Sequence, residues 1–463
     1  MAAGLPRERD GMARLFGTDG IRGIANEKIT CELALKVGAA GAFLFAGGAH
    51  TPRILVGADT RKSCDMLVAA LCAGICSVGG EAVQIGVIPT PGLSYLVKRY
   101  GADAAVMVSA SHNSMAYNGL KWFDHFGHKL SDDLEDEIER LLNEPAQLPR
   151  PVGGDVGQIT TVEGARADYV RFLQSVADEQ MNGMTIALDC ANGAASGIAR
   201  EVFAGLGANV LCMADEPDGT NINDQCGSTH PERLQAFVLA HGADAGFAFD
   251  GDADRLIAVD ECGQIVDGDR MMGICAIDMR ARGVLKDNTL VVTVMSNLGL
   301  RHRMREADIL LEETAVGDRY VLARMLERGY NLGGEQSGHI LFTDHHTTGD
   351  GMLSAIQLLN VLRRSGVSFS ALCADIPIYP QVLVNVRLQE ERMAAALKDD
   401  TFNARIADAK QALGDKGRVL VRASGTEPLI RIMLEGPTAD SILAYAQAIA
   451  RVLEKDYGGT IKQ

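Results

Sequence analysis

The chain has 463 residues, of which 47% are hydrophobic and 22% are charged, and its formal net charge at pH 7 is -16. This composition is typical of a globular protein that buries large apolar cores. The excess of acidic residues argues against general binding to nucleic acids or anionic membranes, since both need a basic protein surface.

The amino-terminal residues and the cysteines predict a cytoplasmic protein. The first residues, MAAGLPRERDG, contain no apolar segment of the kind that a secretory signal requires. The longest apolar stretches, such as residues 39–49, are shorter than the roughly 18 residues of a membrane-spanning helix. The ten cysteines are scattered without a CxxC pair, so we expect reduced and mostly buried thiols.

Short apolar runs alternate with longer amphipathic segments along most of the chain. The runs RILVGAD, EAVQIGVIP and DAAVMVS are predicted strands, and the segments between them are predicted helices. The alternation continues through TIALDC, NVLCMA, AGFAFD, LIAVD and TLVVTVMS. Strands separated by helices predict βαβ units and therefore an α/β fold.

Two changes in composition predict boundaries between parts of the chain. Residues 143–157, NEPAQLPRPVGGDVG, are rich in proline, glycine and acidic residues and are predicted to be a linker. The alternation also changes near residues 376–380. The tail after that point has three apolar runs, a charged helical segment and a last helix, which favours a smaller α+β domain.

A short internal repeat links three parts of the chain. The letters GADA begin at Gly101 and again at Gly242, and a fainter copy begins at Gly329. Each glycine precedes an apolar run and then a polar loop. Because ligands of α/β sheets bind at the carboxyl ends of strands, we expect repeated domains that each present such a loop. The residues ten positions after these glycines are Ser111, Asp252 and His339.

Polar loops in the first part of the chain supply candidates for binding and catalysis. The glycine-rich stretch FGTDGIRG contains Arg22, and GADTRKS contains Asp59 and Arg61, which we interpret as structural support. The loop VSASHN contains Ser111, and a serine can carry a covalent phosphoryl group if an acid or base lies nearby. An ordinary polar turn explains this loop equally well, with Lys121 beyond it as a surface cation.

The stretch FDGDADRL predicts a binding site for a divalent cation. Asp250, Asp252 and Asp254 alternate with small residues, so a tight turn could bring three carboxylates onto one hard cation, for which Mg²⁺ is the expected ion. An EF-hand calcium loop is the competing interpretation. It is disfavoured because Arg255 stands where that loop needs glycine and because strands, not helices, flank the motif.

Two later loops favour a phosphorylated polyol as the ligand. In GEQSGH, Glu335 and Ser337 can hydrogen-bond hydroxyl groups, and the neighbouring glycines permit close approach of the ligand. In RASGTEPLIR, two arginines, a serine and two backbone amides can surround one phosphate group. These five groups belong to Arg422, Ser424, Gly425, Thr426 and Arg431.

The motifs FGTDGIRG, ASHN, DGDADR, GEQSGH and RASGTEP follow one another along nearly the whole chain. In this order they resemble the α-D-phosphohexomutase superfamily, and most closely its branch that acts on glucosamine phosphates. The resemblance implies an α/β fold with four domains around a central cleft. Three repeated α/β domains with mixed sheets would be followed by an α+β domain. The expected domains are residues 1–165, 166–262, 263–376 and 377–463.

The resemblance also implies a role for each motif. Ser111 would carry a phosphoryl group, and the three aspartates would bind Mg²⁺ together with that phosphate. The loop GEQSGH would bind the sugar hydroxyls, and RASGTEP would bind the phosphate that is not transferred. The candidate catalytic residues are Ser111, Lys121, His339 and Arg255. The candidate substrate-binding residues are Arg22, His112, Glu335, Ser337, Arg422, Ser424, Gly425, Thr426 and Arg431.

The implied reaction interconverts glucosamine 6-phosphate and glucosamine 1-phosphate through a phosphoserine enzyme and glucosamine 1,6-bisphosphate. Gln336 and the segment 221–232 favour the glucosamine substrate, and the family suggests a homodimer. Phosphomannomutase or phosphoglucomutase activity, a Mg²⁺-dependent sugar phosphatase and a sugar-phosphate or Ca²⁺ binding protein are the alternatives. Ser114 and Tyr117 depart from the superfamily, which usually has proline and aspartate at these positions, so the loop could be posed differently.

Overall fold

The computed structural model describes residues 14–17, 19–47, 50–424 and 428–462. These residues form two compact units. The first contains Met1–Met295 and Ile309–Ala374, and the second contains Ser296–Asp308 and Asp375–Gln463. Four separate β-sheets lie in the described part of the chain, which agrees with the predicted α/β architecture of four domains.

The first sheet has six strands in the order β1-β5-β4-β2-β3-β6. Strands β2, β3, β4 and β6 pair in parallel, whereas β5 is antiparallel to both β4 and β1. The elements are β1 (Ile21–Ile24), α1 (Cys31–Ala46), β2 (Arg53–Ala58), α2 (Cys64–Ser77), β3 (Glu81–Val87), α3 (Thr90–Arg99), β4 (Ala104–Val108), β5 (Tyr117–Asp124), α4 (Asp132–Asn143) and β6 (Ile159–Thr161).

Close contact between α1 and α2 stabilises this domain. The hydroxyl of Thr30 accepts a hydrogen bond from the Leu33 amide and so caps the start of α1. A Cβ atom added to Gly38 would lie 2.4 Å from the Leu71 carbonyl oxygen, and one added to Gly74 would lie 2.0 Å from that of Leu35. Only glycine lets the two helix backbones approach this closely, which explains the small residues in both helices.

The second sheet has five strands in the order β11-β10-β9-β7-β8. Strand β7 is parallel to β8 and β9, and β10 is antiparallel to both β9 and β11. Every residue of β9 is buried, as expected for a continuous apolar strand inside an α/β domain. The elements are α5 (Ala165–Ser175), β7 (Thr185–Asp189), α6 (Ile198–Gly205), β8 (Asn209–Met213), α7 (Glu232–His241), β9 (Ala245–Phe249), β10 (Leu256–Asp260) and β11 (Ile265–Val266).

The third sheet has four strands in the order β13-β12-β14-β15. Strand β12 is parallel to β13 and β14, and β15 is antiparallel to β14. The helix that follows β12 in the chain belongs to the second compact unit. The elements are α8 (Gly268–Ala281), β12 (Thr289–Thr293), α9 (Leu298–Glu306), β13 (Leu310–Thr314), α10 (Asp318–Arg328), β14 (Leu332–Gly334), β15 (Ile340–Phe342), α11 (Gly351–Ser365) and α12 (Phe369–Ala374).

The three sheets share one arrangement, which confirms the predicted repeat. In each sheet two parallel strands flank the first strand of the repeat, and a fourth strand returns antiparallel to the third. The glycines of the sequence repeat, Gly101, Gly242 and Gly329, all have positive φ and stand where a helix ends before the third strand. The loop between the third and fourth strands carries Ser111 in the first domain, Asp250 to Asp254 in the second, and Glu335 to His339 in the third.

The fourth sheet is antiparallel, with strand order β17-β18-β16-β19, and its helices pack on one face through an apolar core. This is the predicted α+β domain. Its elements are β16 (Gln381–Arg387), α13 (Glu390–Ala396), α14 (Asp400–Leu413), β17 (Arg418–Ala423), β18 (Leu429–Glu435), α15 (Ala439–Tyr457) and β19 (Thr460–Lys462). Short 3₁₀ turns are Pro145–Gln147, Gly153–Asp155, Lys286–Asn288 and Gly414–Lys416.

The structure also bears on the other expectations from composition. Six of the ten cysteines are buried and Cys262 is the exposed one, so the prediction of mostly buried thiols is confirmed, whereas their reduced state stays a prediction. Within the residues that the structure describes, no helix has both the length and the apolar character needed to span a bilayer. The domain boundaries given above stay a prediction.

Candidate active site

Ser111 lies in the loop between β4 and β5 with its side chain buried. Its Oγ donates a hydrogen bond of 2.5 Å to Oδ2 of Asp250, which follows β9 in the second domain. The residue has a φ of +53°, a left-handed conformation that is uncommon for serine. Backbone strain of this kind persists only where the surroundings fix it, and it is frequent at functional sites.

A buried ion pair lies beneath the serine loop. Nε of Arg61 lies 2.9 Å from Oδ2 of Asp59, and both side chains are fully buried. The same Asp59 oxygen accepts a hydrogen bond of 2.6 Å from the hydroxyl of Ser109. The Arg61 guanidinium donates to three backbone carbonyls of the loop, those of Ser111, Asn113 and Ser114. The interpretation of Asp59 and Arg61 as structural support is therefore confirmed.

The three aspartates of the second domain converge, as the spacing predicted. One carboxylate oxygen from each of Asp250, Asp252 and Asp254 lies within 4.8 Å of the others, and all three residues are buried. Among the described residues nothing donates a hydrogen bond to Oδ1 of Asp252 or Oδ1 of Asp254. Burial raises the pKa of Asp250 well above its usual range, and the other two carboxylates raise it further. Three buried carboxylates, two of which have an unpartnered oxygen, fit a divalent cation such as Mg²⁺.

Lys121 is buried against these carboxylates and is not a surface cation. Its Nζ lies 2.7 Å from Oδ2 of Asp252, 3.1 Å from Oδ2 of Asp19 and 3.8 Å from Oδ2 of Asp254. Burial opposes the charged form, but Asp19 and Asp252 raise the pKa of Lys121 above its ordinary value. Thr90 donates a further hydrogen bond of 2.6 Å to Oδ2 of Asp252.

His339 and Lys129 extend this arrangement into a closed ring of ionisable groups. Nζ of Lys129 lies 2.6 Å from Oδ1 of Asp19 and 2.5 Å from Oδ2 of Asp318. Nε2 of His339 lies 3.5 Å from the same Asp318 oxygen. Nδ1 of His339 lies 3.7 Å from Oδ2 of Asp254, which closes the ring. Burial lowers the pKa of His339, but Asp254 and Asp318 raise it by more, so the pKa lies above its ordinary value. The ring alternates acids and bases in the order Asp254, Lys121, Asp19, Lys129, Asp318, His339.

Three basic residues lie beside this ring. Arg22 forms an ion pair with Asp19, and its Nε has no partner among the described residues. Nη1 of Arg255 lies 3.2 Å from Nδ1 of His112, and the same ring nitrogen lies 3.4 Å from Oγ of Ser111. Burial lowers the pKa of His112 to about 4, with Arg255 and Arg22 adding to the effect. Arg22 and Arg255 therefore place two cationic donors beside Ser111, whereas the His112 ring is neutral at pH 7.

The loop GEQSGH joins the second and third domains. The Gly338 carbonyl accepts a hydrogen bond of 3.0 Å from the Leu256 amide at the start of β10. Oε1 of Glu335 accepts a hydrogen bond of 3.0 Å from the Gly317 amide, and Ser337 is exposed. Gln336 donates a hydrogen bond from Nε2 to Oδ2 of Asp267. The predicted preference for glucosamine rests in part on this residue. The loop therefore leaves the Ser337 hydroxyl available to a ligand.

The second compact unit carries the predicted phosphate-binding arginines. Arg422 on β17 and Arg431 on β18 occupy directly opposed positions of the antiparallel pair. Each Nε is buried and lacks a hydrogen-bond partner in the described part of the chain. Burial lowers the pKa of Arg422, and Arg431 lowers it further. Two opposed cations are unfavourable unless an anion lies between them, so this pair fits a phosphate. Ser424 directly follows β17, whereas Gly425 and Thr426 lie outside the described residues.

Several residues of this site were not predicted from the sequence. Asp19, Lys129 and Asp318 belong to the ring, Thr90 contacts Asp252, and Asn223 contacts the serine loop. Asp19 lies in FGTDGIRG, three residues before Arg22, and that motif was the available signal. Asn223 lies in the segment 221–232, which was considered for the choice of sugar and not for a contact with the serine loop. Thr90, Lys129 and Asp318 lie in stretches without a distinctive pattern.

Models of known protein families match almost the entire chain in four parts. The phosphoglucomutase/phosphomannomutase α/β/α domain I matches residues 13–148, domain II matches 167–263, domain III matches 267–379, and the C-terminal domain matches 383–452.

Similar proteins and structures agree with this match. The chain is 50% identical over 444 residues to a phosphoglucosamine mutase of Thermoanaerobacter sp. (strain X514). This match covers 96% of this chain and 99% of that protein. It is 51% identical over the same length to a phosphoglucosamine mutase of Clostridium perfringens (strain 13 / Type A), with the same coverage. A phosphoglucomutase/phosphomannomutase family protein from Burkholderia thailandensis has a TM-score of 0.82 at 25% identity, over 97% of this chain and 99% of that one. The chain therefore belongs to the phosphoglucomutase/phosphomannomutase family.

Proposed function

We propose that this chain is a phosphosugar mutase that interconverts glucosamine 6-phosphate and glucosamine 1-phosphate. Phospho-Ser111 and glucosamine 1,6-bisphosphate are the expected intermediates. The observation that carries the chemistry is the buried Ser111 hydroxyl, 2.5 Å from the first of three convergent aspartates. The choice of sugar is supported by about half-identical relatives that are themselves phosphoglucosamine mutases.

The reaction consists of two phosphoryl transfers. In the first, the bond between Oγ of Ser111 and phosphorus breaks while a new bond forms from phosphorus to the free hydroxyl of the sugar. The proton of that hydroxyl passes to a base on the protein, and an acid on the protein protonates the leaving Oγ of Ser111. In the second transfer Oγ of Ser111 gives up its proton and attacks the other phosphate of the bisphosphate, and the sugar oxygen that leaves is protonated. We propose His339 and Lys121 as the acid and base, and Arg255 as a support for the phosphoryl group.

The three aspartates are the proposed Mg²⁺ ligands, together with the phosphate on Ser111. The unpartnered buried oxygens of Asp252 and Asp254 support this assignment. When bound, the ion would neutralise negative charge on the transferring group. Lys121 supplies a second positive charge beside the same carboxylates. Such electrostatic stabilisation is the principal contribution that a protein makes to phosphoryl transfer.

We assign the remaining groups to substrate binding. Glu335 and Ser337 would hydrogen-bond the sugar hydroxyls, and Arg22 and His112 would bind near the transferring phosphate. The phosphate that is not transferred would bind to the loop of the α+β domain, through Arg422, Ser424, Gly425, Thr426 and Arg431. Because each end of the sugar must be presented in turn, these groups have to accept the substrate in two orientations. We further propose a cytoplasmic, homodimeric enzyme of amino-sugar metabolism.

The test compares three sugars and two products in parallel. Phosphorylated protein with Mg²⁺ is given glucosamine 6-phosphate, glucose 6-phosphate or mannose 6-phosphate, and the 1-phosphate and inorganic phosphate are both measured. A strong preference in kcat/KM for glucosamine 6-phosphate supports the proposal. Preference for glucose or mannose 6-phosphate would make the chain a phosphoglucomutase or phosphomannomutase. Inorganic phosphate as the sole product would make it a sugar phosphatase.

A further inference from the structure

We propose that Asn223 is a positioning residue for phosphoryl transfer, one that fixes the serine loop of the first domain against the metal-binding turn of the second. The inference rests on the proposed function. Asn223 lies in the segment between β8 and α7, and its backbone amide donates a hydrogen bond of 2.9 Å to the Ala191 carbonyl. Its backbone is therefore anchored in the second domain.

The Asn223 side chain reaches into the first domain. Its Nδ2 donates hydrogen bonds to the carbonyl oxygen of Ser111 at 2.8 Å and to that of Asn113 at 3.0 Å. The residue is only 8% exposed, so water does not compete freely for these bonds. Asn223 itself has a φ of +56°, a conformation that asparagine tolerates better than most side chains do.

The same two carbonyls also receive donors from within the first domain. Nη2 of Arg61 donates to the Ser111 carbonyl at 2.9 Å and to the Asn113 carbonyl at 2.7 Å. Each carbonyl is therefore bound once from its own domain and once from the neighbouring domain. Arg61 can keep the loop folded without Asn223, but among the described residues only Asn223 ties the loop to the second domain through these two oxygens.

This connection lies directly against the metal-binding turn. A Cβ atom added to Gly251 would lie 2.6 Å from the Ser111 carbonyl oxygen and 2.8 Å from Nδ2 of Asn223. Gly251 separates Asp250 from Asp252, so the turn packs on the same two groups. Loss of the Asn223 amide would let Ser111 shift relative to the aspartates, and displacements of about 1 Å can lower transfer rates on the order of 100-fold.

The experiment replaces Asn223 and a matched neighbour. Asn221→Ala is the control, because the Asn221 side chain also donates to a backbone carbonyl of this segment, that of Glu216 at 3.0 Å, but not to the serine loop. Glucosamine 6-phosphate turnover, melting temperature and single-turnover transfer from ³²P-labelled phospho-Ser111 are measured for both variants. For Asn223→Ala we expect kcat and the transfer rate to fall about 10- to 100-fold, with KM changed less than about threefold. The control should keep both rates.

The outcomes separate this inference from the proposed function. If wild-type protein turns over glucosamine 6-phosphate and Asn223→Ala matches it, the positioning role is wrong while the function stands. Equal losses of kcat and transfer rate in Asn223→Ala and Asn221→Ala would also overturn the positioning role, because the loss would then be a general effect of changing this segment. The variant Asn223→Asp keeps the size of the side chain but removes the amide group that donates to the serine loop. If the alanine variant does not fold, the same measurements are made on Asn223→Asp. If neither variant folds, Asn223 has a structural role and the inference is wrong. A wild-type protein without mutase turnover would instead refute the proposed function.

Discussion

Ser111 Oγ donates a hydrogen bond of 2.5 Å to Oδ2 of Asp250, across 139 residues of sequence. The free hydroxyl is therefore well placed as a donor beside a buried carboxylate. A phosphoryl group on the same atom would replace this donor with negative charge, next to three carboxylates that already repel one another. A divalent cation bound at the three aspartates would offset this added negative charge, which links the proposed serine chemistry to the proposed metal site.

Ser111→Ala should abolish mutase turnover without unfolding the protein. The change removes the atom that carries the phosphoryl group but leaves the Arg61 and Asn223 contacts, which involve the Ser111 backbone. We expect a loss of more than about 10⁴-fold in kcat, as for removal of a covalent nucleophile. Ser114→Ala, an exposed serine of the same loop, is the matched control and should retain turnover. Phosphate detected by mass spectrometry on another residue of an active Ser111→Ala variant would contradict this assignment.

Removal of divalent cations should inactivate the enzyme reversibly. Chelation leaves the negative charge of the three carboxylates only partly balanced, by Lys121, and added Mg²⁺ should restore turnover and raise the melting temperature. In Asp252→Asn we expect Mg²⁺ affinity to fall by at least tenfold, measured by calorimetry, because a charged ligand is lost. Asp224→Asn changes an exposed acid that lies outside the cluster and should bind Mg²⁺ as the wild type does. Unchanged Mg²⁺ affinity in Asp252→Asn would place the cation elsewhere.

Lys129→Met should destabilise the first compact unit strongly. It would leave the partly buried carboxylates of Asp19 and Asp318 without the ammonium group that lies 2.6 and 2.5 Å from them. Loss of one partner from a fully buried ion pair costs about 3–5 kcal/mol in the free energy of unfolding, and for these partly exposed carboxylates we expect about 1–3 kcal/mol. Lys36→Met, at an exposed position of α1, should change it by less than about 0.5 kcal/mol. Denaturant unfolding measures both values, and equal effects would show that the buried ring does not stabilise the fold.

Arg422→Met should weaken substrate binding and yet not destabilise the α+β domain. The opposed Arg422 and Arg431 repel each other without an anion, so the change relieves that repulsion by a few tenths of a kcal/mol. Lost charge-assisted hydrogen bonds to phosphate should raise KM about 10- to 100-fold. Arg451→Met, an exposed arginine on α15, serves as the control. A large loss of stability with unchanged KM would mean that Arg422 has a structural role instead.

Protonation of His346 should make the fold sensitive to acid. Its Nε2 lies 2.8 Å from the Pro91 carbonyl, and its Nδ1 accepts a hydrogen bond from the Thr347 amide, so the buried ring is neutral. Burial lowers the pKa of His346 to about 4 from an ordinary value of 6.5. Between these values the unfolded chain binds more protons than the folded one, so the free energy of unfolding falls as pH decreases from 6.5 towards 4. The shift corresponds to about 3 kcal/mol.

The variant His346→Gln isolates this contribution from that of other titrating groups. Its free energy of unfolding should decrease less than that of the wild type between pH 6.5 and 4, in denaturant titrations at each pH. Parallel curves for the two proteins would contradict the predicted role of His346.

Local patterns in the sequence identified the chemistry but not its supporting network. Asp250, Asp252 and Asp254 were predictable because alternate residues of one tight turn supply the whole cluster. Ser111 could be proposed only through its place after a strand and through the family resemblance. Lys129 and Asp318 lie 189 residues apart, and no short motif encodes a contact that depends on how two domains pack.

The repeated loops were predictable in part: their existence follows from the sequence, but their contacts with one another do not. Three glycines of the sequence repeat predicted equivalent loops, and the structure places those loops together in one compact unit. The sequence does not specify which loop residue faces which, because that depends on side-chain packing between domains. Thr90 and Asn223 were missed for this reason, since each acts on a loop that lies more than a hundred residues away.

The most direct test of the account follows one labelled phosphate. Protein carrying ³²P on Ser111 is mixed with glucosamine 6-phosphate and Mg²⁺, and the label is traced within the first turnover. We expect the label to leave the protein and to appear in glucosamine 1,6-bisphosphate and then in glucosamine phosphate. Label that stays on the protein, or that leaves only as inorganic phosphate, would contradict it.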